Sequence, residues 1–221
     1  MNFTSVLSCL CLLLAAAAAQ APKPCVTPPL MSGAFNVAAN GHISSTGLVT
    51  YDAFGQKIRL RGYVQMGNES FALDQLMLFK QKLIYEVDWS THTCRKLPLD
   101  TAFIPMQVPE DSKLVGQVVL GTSSAAGMGV LVNNWYGKLP DDGLYSTVFT
   151  EIGCIPMTYS SFSPGGSWSA MSTVNWVLGI TNPTDLLPPA ICANAKLEKS
   201  EAPVNFFTAL ASLAMRTQRE V

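Results

Sequence analysis

The sequence predicts a mainly β protein with few helices, built on a large antiparallel sheet system. Two patterns carry that expectation. Hydrophobic alternation with period two recurs along the chain, whereas period 3.6 occurs only near the C-terminus. Turn chemistry then separates the alternating runs, at Pro140-Asp141-Asp142-Gly143, Pro164-Gly165-Gly166 and Pro188-Pro189. Composition adds the means to close a core, because 48% of the 221 residues are apolar and only 13% are charged, against about 25% charged in an ordinary globular chain. No repeat with a period of about 20 to 50 residues is visible, which disfavours a propeller or solenoid.

The elements follow in chain order. Met1 to Ala19 has no charged side chain, and Val6 to Ala19 is a nearly unbroken apolar run ending in an A-x-A pattern at Ala17 and Ala19. As a helix that run spans about 21 Å, short of the roughly 30 Å hydrocarbon core, so it reads as a cleaved secretory signal. Residues 20–221 then form a single domain. Leu48 to Asp52, the link Ala53-Phe54-Gly55-Gln56 and Lys57 to Val64 predict a hairpin. In its second strand Ile58, Leu60 and Val64 share one face, and Lys57, Arg59, Arg61 and Tyr63 share the other.

Leu76 to Phe79 and Leu83 to Trp89 flank the polar turn Lys80-Gln81-Lys82, a second hairpin. Lys113 to Leu120, Val130 to Tyr136, Leu144 to Ile152 and Trp168 to Leu178 are further strands. Strict alternation puts Trp168, Ala170, Val174, Trp176 and Leu178 on one face of the last of these. Pro183 to Leu187 reads as a short turn. From Pro203 onward, Phe206, Leu210 and Leu213 fall at helical spacing and predict a terminal helix laying its apolar stripe on the sheet.

Chemistry is sparse along this chain. A balance of 14 Lys plus Arg against 15 Asp plus Glu, with no basic block, lacks the electrostatic footprint of nucleic-acid binding. Beyond the signal no window reaches the roughly 18 apolar residues of a membrane span, so no transmembrane anchor is expected. Gly165-Gly166-Ser167-Trp168-Ser169 lacks the last glycine of a nucleophile elbow. No dinucleotide fingerprint or P-loop is present. His42 and His92 sit in polar, turn-like segments, and Glu86 and Asp88 read as a solvated strand face. These features predict no catalytic residue and no required cofactor.

Removing the signal takes Cys9 and Cys11 with it and leaves Cys25, Cys94, Cys154 and Cys192 in an oxidising compartment. Two disulfides are expected there, in any of three pairings. A zinc site through sulfur is disfavoured, since the nearest cysteines, Cys154 and Cys192, are 38 residues apart. Asn68-Glu69-Ser70 is a glycosylation sequon at a turn-like position, whereas Pro183 blocks Asn182-Pro183-Thr184.

Several segments together resemble one family. They are Cys25-Val26-Thr27-Pro28-Pro29-Leu30-Met31-Ser32-Gly33, then Tyr51-Asp52 before a basic strand, Leu78-Phe79 leading to Tyr85-Glu86-Val87-Asp88, and Cys94-Arg95-Lys96. Pro188-Pro189-Ala190-Ile191-Cys192 and the late Phe206-Phe207 extend the likeness over most of the chain. In order and spacing these resemble the ependymins, and the fish type more than the mammalian ependymin-related protein, which carries an extra cysteine pair. The resemblance implies a secreted, non-enzymatic glycoprotein associated with calcium and cell-matrix adhesion, with homodimers and lysosomal relatives. It also implies pairing of Cys25 with Cys154 and of Cys94 with Cys192. The implied fold is that of bacterial lipoprotein carriers, a strongly curved antiparallel sheet around an apolar pocket. Family calcium binding is attributed largely to sialylated glycans and acidic character, and a net charge of −1 with one usable sequon argues for weak binding here.

Two functional readings stand on these residues. One is a carrier that shelters a lipid, glycolipid or other apolar ligand, with Tyr85, Trp89, Phe149, Trp168 and Trp176 as the aromatics expected to line the pocket. The other is an extracellular interaction protein whose apolar face merely fills a core.

Overall fold

The structure is a computed structural model and describes residues 21–40, 43–139 and 142–199. The signal segment, His42, Asp141 and the C-terminal helical segment expected from Pro203 onward lie outside those residues. Strands β1 (Leu30–Ala39), β2 (Ile43–Asp52), β3 (Lys57–Met66), β4 (Glu69–Leu78), β5 (Leu83–Asp88) and β6 (Thr93–Pro98) form one meander. Strands β7 (Lys113–Gly121), β8 (Gly129–Lys138), β9 (Leu144–Thr150), β10 (Pro156–Phe162) and β11 (Trp168–Leu178) form a second. All pair antiparallel in one open 11-stranded sheet, ordered β6-β5-β4-β3-β2-β1-β11-β10-β9-β8-β7. Every pairing but one joins consecutive strands, the economical solution for short connections. The exception, β1 with β11, welds the meanders together in the middle of the sheet.

That order obliges the chain to travel from one sheet edge to the other between β6 and β7. The crossover of residues 99–112 runs over one face, called inner here. Leu99, Phe103 and Met106 pack there with Met31, Phe35, Val49, Tyr51, Leu60 and Met77 in the main core. The path is pinned by backbone: Leu99 N donates to Lys82 O, and Met106 N donates to the Tyr51 hydroxyl. Val26 and Gln107 form a β-bridge, so the N-terminal segment and the crossover lie together on the inner face. Beyond them Val108, Trp135, Phe149 and Cys154 make a second inner-face cluster.

The outer face is covered at the other half. The 3-10 turns η1 (Pro183–Leu186) and η2 (Ala190–Cys192) lay Leu186 and Cys192 on Leu76, Leu78, Tyr85 and Val87. This cover changes the meaning of Arg59. The alternation places it on a polar face, yet it is 5% exposed, with Nε and Nη2 both donating to the Asp74 carboxylate at 2.8 Å and Nη1 to Asp185 O at 3.1 Å. Trp89 Nε1 donates to the same Asp74 carboxylate at 2.7 Å, and Arg61 pairs with Asp185. A buried charge is tolerated only with such partners. Glu86 is likewise buried rather than solvated, and accepts from Gln75 Nε2 at 3.0 Å, whereas its neighbour Asp88 is exposed.

The most consequential departure from strict alternation is in β11. Asn175 has φ 55°, and the β1 pairing shifts between Ser32 and Ala34. A bulge of this kind inserts a residue and reverses the facing of the positions beyond it. Val174 pairs with Ala34, but Trp176 packs on the main inner core over Gly33. A Cβ at Gly33 would lie 2.6 Å from the Trp176 ring, so only glycine admits it. Trp176 therefore does not share a face with Ala170 and Val174.

Candidate functional site

Where the second meander runs past the core, the sheet leaves an apolar cleft. Its volume is about 700 Å³, and its walls include Val130, Leu131, Ile155, Met157, Val174, Trp176 and Leu178. Each wall has a local cause. The β9–β10 link turns sharply because Gly153 and Cys154 take φ 83° and 51°. Thr150 closes that link, its hydroxyl donating to Ile152 O and accepting from Ile155 N. This projects Ile152, 88% exposed, at the rim and Ile155 inward. The β11 bulge turns Trp176 toward the cleft, and its Nε1 is committed to Pro156 O and the Thr173 hydroxyl, both at 3.0 Å. With that donor occupied, the indole offers the cleft its apolar ring.

The five aromatics expected from the sequence are spread over the fold. Trp176 lines the cleft. Phe149 is buried beside Trp135 and Val108 on the inner face. Tyr85 is buried on the outer face beneath η1 and η2, with Lys96 Nζ 5.7 Å above its ring. Trp89 is half exposed and tied to Asp74. Trp168 lies at the β10–β11 loop, where its backbone N–H donates to the Asn40 side chain. The other walls are mostly aliphatic; alternation singled out Val174 and Leu178 on β11, but not Ile155 or Met157. The signal was available in the repeated small-apolar runs at Gly129-Val130-Leu131 and Gly153-Cys154-Ile155.

Both disulfides are formed, Cys25 with Cys154 and Cys94 with Cys192. The first fastens the N-terminal segment to the β9–β10 link beside the cleft. The second fastens η2 to β6 on the outer face. Asn68 is exposed in the two-residue turn between β3 and β4, after Gly67 at φ 58°. A second hollow, about 240 Å³, has more polar residues in its lining, among them Asn36, Ser44, Thr46, Gln65 and Ser70, beside Val37 and Tyr63. Among the described residues no group of three or more His, Cys, Asp or Glu could hold a metal ion. His92 is exposed in the β5–β6 turn, at φ 50°.

Comparison with known proteins fixes the family. A family model described as Ependymin matches residues 67–192, more than half of the chain. The protein belongs to the ependymin family. Relatives include Ependymin-2 of Carassius auratus, 29% identical over 208 residues covering 91% of this chain and 94% of the relative. Ependymin of Notemigonus crysoleucas is 29% identical over 204 residues, with the same coverage of 91% and 94%. Mammalian ependymin-related protein 1 of Mus musculus is 25% identical over 190 residues, 80% of each chain. A crystal structure of an uncharacterised conserved protein from Thermus thermophilus superposes with TM-score 0.52 at 10% identity, covering 86% of this chain and 98% of that one. That likeness concerns the fold alone.

Proposed function

We propose that this ependymin is a secreted, non-enzymatic carrier that holds an apolar ligand, a lipid or glycolipid, in the cleft beside Trp176. The observation that carries the reading is the cleft itself: about 700 Å³ with walls that are mostly aliphatic. Small-molecule sites commonly measure roughly 300 to 1,000 Å³ and are predominantly apolar with few polar groups. Thr150 and Trp176 have their side-chain donors satisfied within the protein, which leaves Asn175 as the amide in the wall to orient a headgroup. The two disulfides fit a life outside the cell. A single mature domain after a cleaved signal, a glycan on Asn68 and homodimer formation belong to the same reading. Calcium association fits it less well, because among the described residues no group of three or more His, Cys, Asp or Glu could hold a metal ion.

The test is mass spectrometry of organic extracts from natively purified protein, followed by titration of tryptophan emission with a fatty acid. Co-purifying lipid and a saturable emission change that Trp176→Phe removes support the carrier. A clean extract and unresponsive emission transfer the cleft to the interaction-protein reading.

A further inference from the structure

The two edges of this sheet are finished differently. Edge strand β6 is covered by the chain itself: Leu197 bridges Lys96, Glu198 N donates to Lys96 O at 2.9 Å, and Arg95 pairs with Glu198 at 2.7 Å. Edge strand β7 has no described strand beyond it. From Leu114 to Gly137 the β7–β8 hairpin contains no charged residue. Val118, Val119 and Leu120 are 50%, 39% and 42% exposed, on both faces of the strand. Natural sheets guard such an edge with charge, proline, a bulge or a covering segment, because its unpaired N–H and C=O groups template another strand. Here Lys113 and the register shift between Leu114 and Gly116 guard only the start of the strand. Among the described residues nothing guards the stretch Gln117–Gly121.

We infer that this stretch of β7 pairs antiparallel with β7 of a second copy, about a two-fold axis at Val119. This deepens the homodimer reading by naming its surface, and its ground is the bare edge. The stretch is self-complementary in that register. Val119 meets the partner's Val119, Val118 meets the partner's Leu120, and Gln117 meets the partner's Gly121, giving β-branched and aliphatic cross-strand pairs with no like charges opposed. A lipid surface would satisfy the apolar side chains but not the backbone, since an open sheet edge in hydrocarbon leaves its polar groups unpaired. A strand satisfies both. The contact is isologous and consumes both β7 edges, while β6 is already engaged at Lys96 and Arg95, so assembly through this stretch closes at two copies. Val130 and Leu131 on adjacent β8 belong to the cleft wall, which places the interface one strand from the proposed ligand.

Sedimentation equilibrium of the full secreted protein tests this, with V118K/L120K and V118E/L120E variants. Both sites are exposed, and an unchanged circular dichroism spectrum checks that each variant folds. The wild type should be a dimer, each variant should dissociate at least tenfold more readily, and mixing the two variants should restore a dimer, because position 118 faces position 120 across the axis. A wild-type dimer that both variants leave intact overturns this surface while the homodimer reading stands. A wild type that is monomeric throughout overturns both. Monomers that sediment with phosphatidylcholine vesicles assign the edge to lipid and overturn the inference. So do monomers whose 117–121 amides resist hydrogen exchange, which assigns the edge to another segment of the same chain.

Discussion

Replacing Cys25 and Cys154 together by serine should cost both stability and ligand affinity, whereas replacing Cys94 and Cys192 should cost stability alone. The bonds close loops with sequence separations of 129 and 98 residues. In the loop-entropy model each restricts the unfolded chain by about 5 kcal/mol at 25 °C. Total stability is about 5 to 15 kcal/mol, so either loss is a large fraction of it. For a chain of this size about 1 kcal/mol moves Tm by about 2 to 4 °C, which predicts a fall of about 10 to 20 °C for each pair. The difference lies in what each bond holds. Cys154 sits between Gly153 and Ile155 in the cleft wall, and Cys25 accepts through its carbonyl from Val108 N on the crossover at 2.9 Å. Freeing that link loosens the wall, with an expected loss of about tenfold in fatty-acid affinity, or about 1.4 kcal/mol. Cys192 packs with Leu76 and Tyr85 on the outer face, away from the cleft. Calorimetry gives Tm and tryptophan emission gives affinity. The reasoning fails if C25S/C154S melts within about 5 °C of the wild type, or if C94S/C192S weakens binding equally.

Asp74→Ala should destabilise by about 3 to 5 kcal/mol in urea titration, because it strands the buried Arg59 guanidinium and the Trp89 indole N–H. Coupled replacement of Arg59 and Asp74 by Met and Leu should cost less than that single change, and equal or greater cost would contradict the buried-charge account. Asp88 accepts from the Ser90 hydroxyl at 2.6 Å and from backbone N–H groups of Ser90 and Thr91, which hold its pKa down at about 2. A depressed carboxylate stabilises fully above its unfolded pKa, near 4, and loses that contribution as pH falls through about 2. Carbon-detected NMR titration should show Ser90→Ala raising this pKa toward 3.8, and an unmoved titration would refute the assignment. Peptide N-glycosidase should shift the mass of secreted protein once, with the shift absent in Asn68→Gln. A residual shift in that variant would place a glycan elsewhere.

Much of the fold was legible because eight strands carry alternation or compact apolar runs, and the β11 limits, Trp168 to Leu178, follow the pattern to the residue. Three strands were not legible. In β1 the run Gly33-Ala34 dilutes the pattern with small side chains, in β6 charges stand beside Cys94, and β10 is short and hydroxyl-rich. Each is recruited by its neighbours' hydrogen-bond ladders more than by its own side chains. The cleft was less legible than the sheet. Its aromatic, Trp176, depends on one residue in the left-handed region, Asn175, and alternation counts positions without seeing such an insertion. Leu76-Met77-Leu78, apolar at successive positions, does say that both faces of β4 are covered. That run is the sequence trace of η1 and of the need for Asp74 beneath it to carry a partner.

The position of the cleft follows from topology. Because each meander begins or ends at the centre of the sheet, the chain must cross from edge β6 to edge β7, and a connection of residues 99–112 has a limited stock of large side chains to cover the inner face. It uses Leu99, Phe103 and Met106 against the first meander and Val108 against Trp135 and Phe149. Nothing comparable is placed by the crossover on the ends of β8 and β11, where Val130, Leu131 and Leu178 are 47%, 41% and 66% exposed. At about 25 cal/mol for each Å² of apolar surface kept from water, leaving three such side chains wet is costly unless something else covers them. The proposed ligand would cover this wall, whereas the proposed second copy would cover Val118 and Leu120 on the edge strand, a different place. Ligand binding should therefore respond to changes at Trp176 and Leu178, and association to changes at Val118 and Leu120. Coupling between the two is confined to β8, where Val130 and Leu131 serve the cleft wall and also flank the edge strand. Leu131→Ser is the substitution expected to weaken both, and an effect on only one would separate the surfaces.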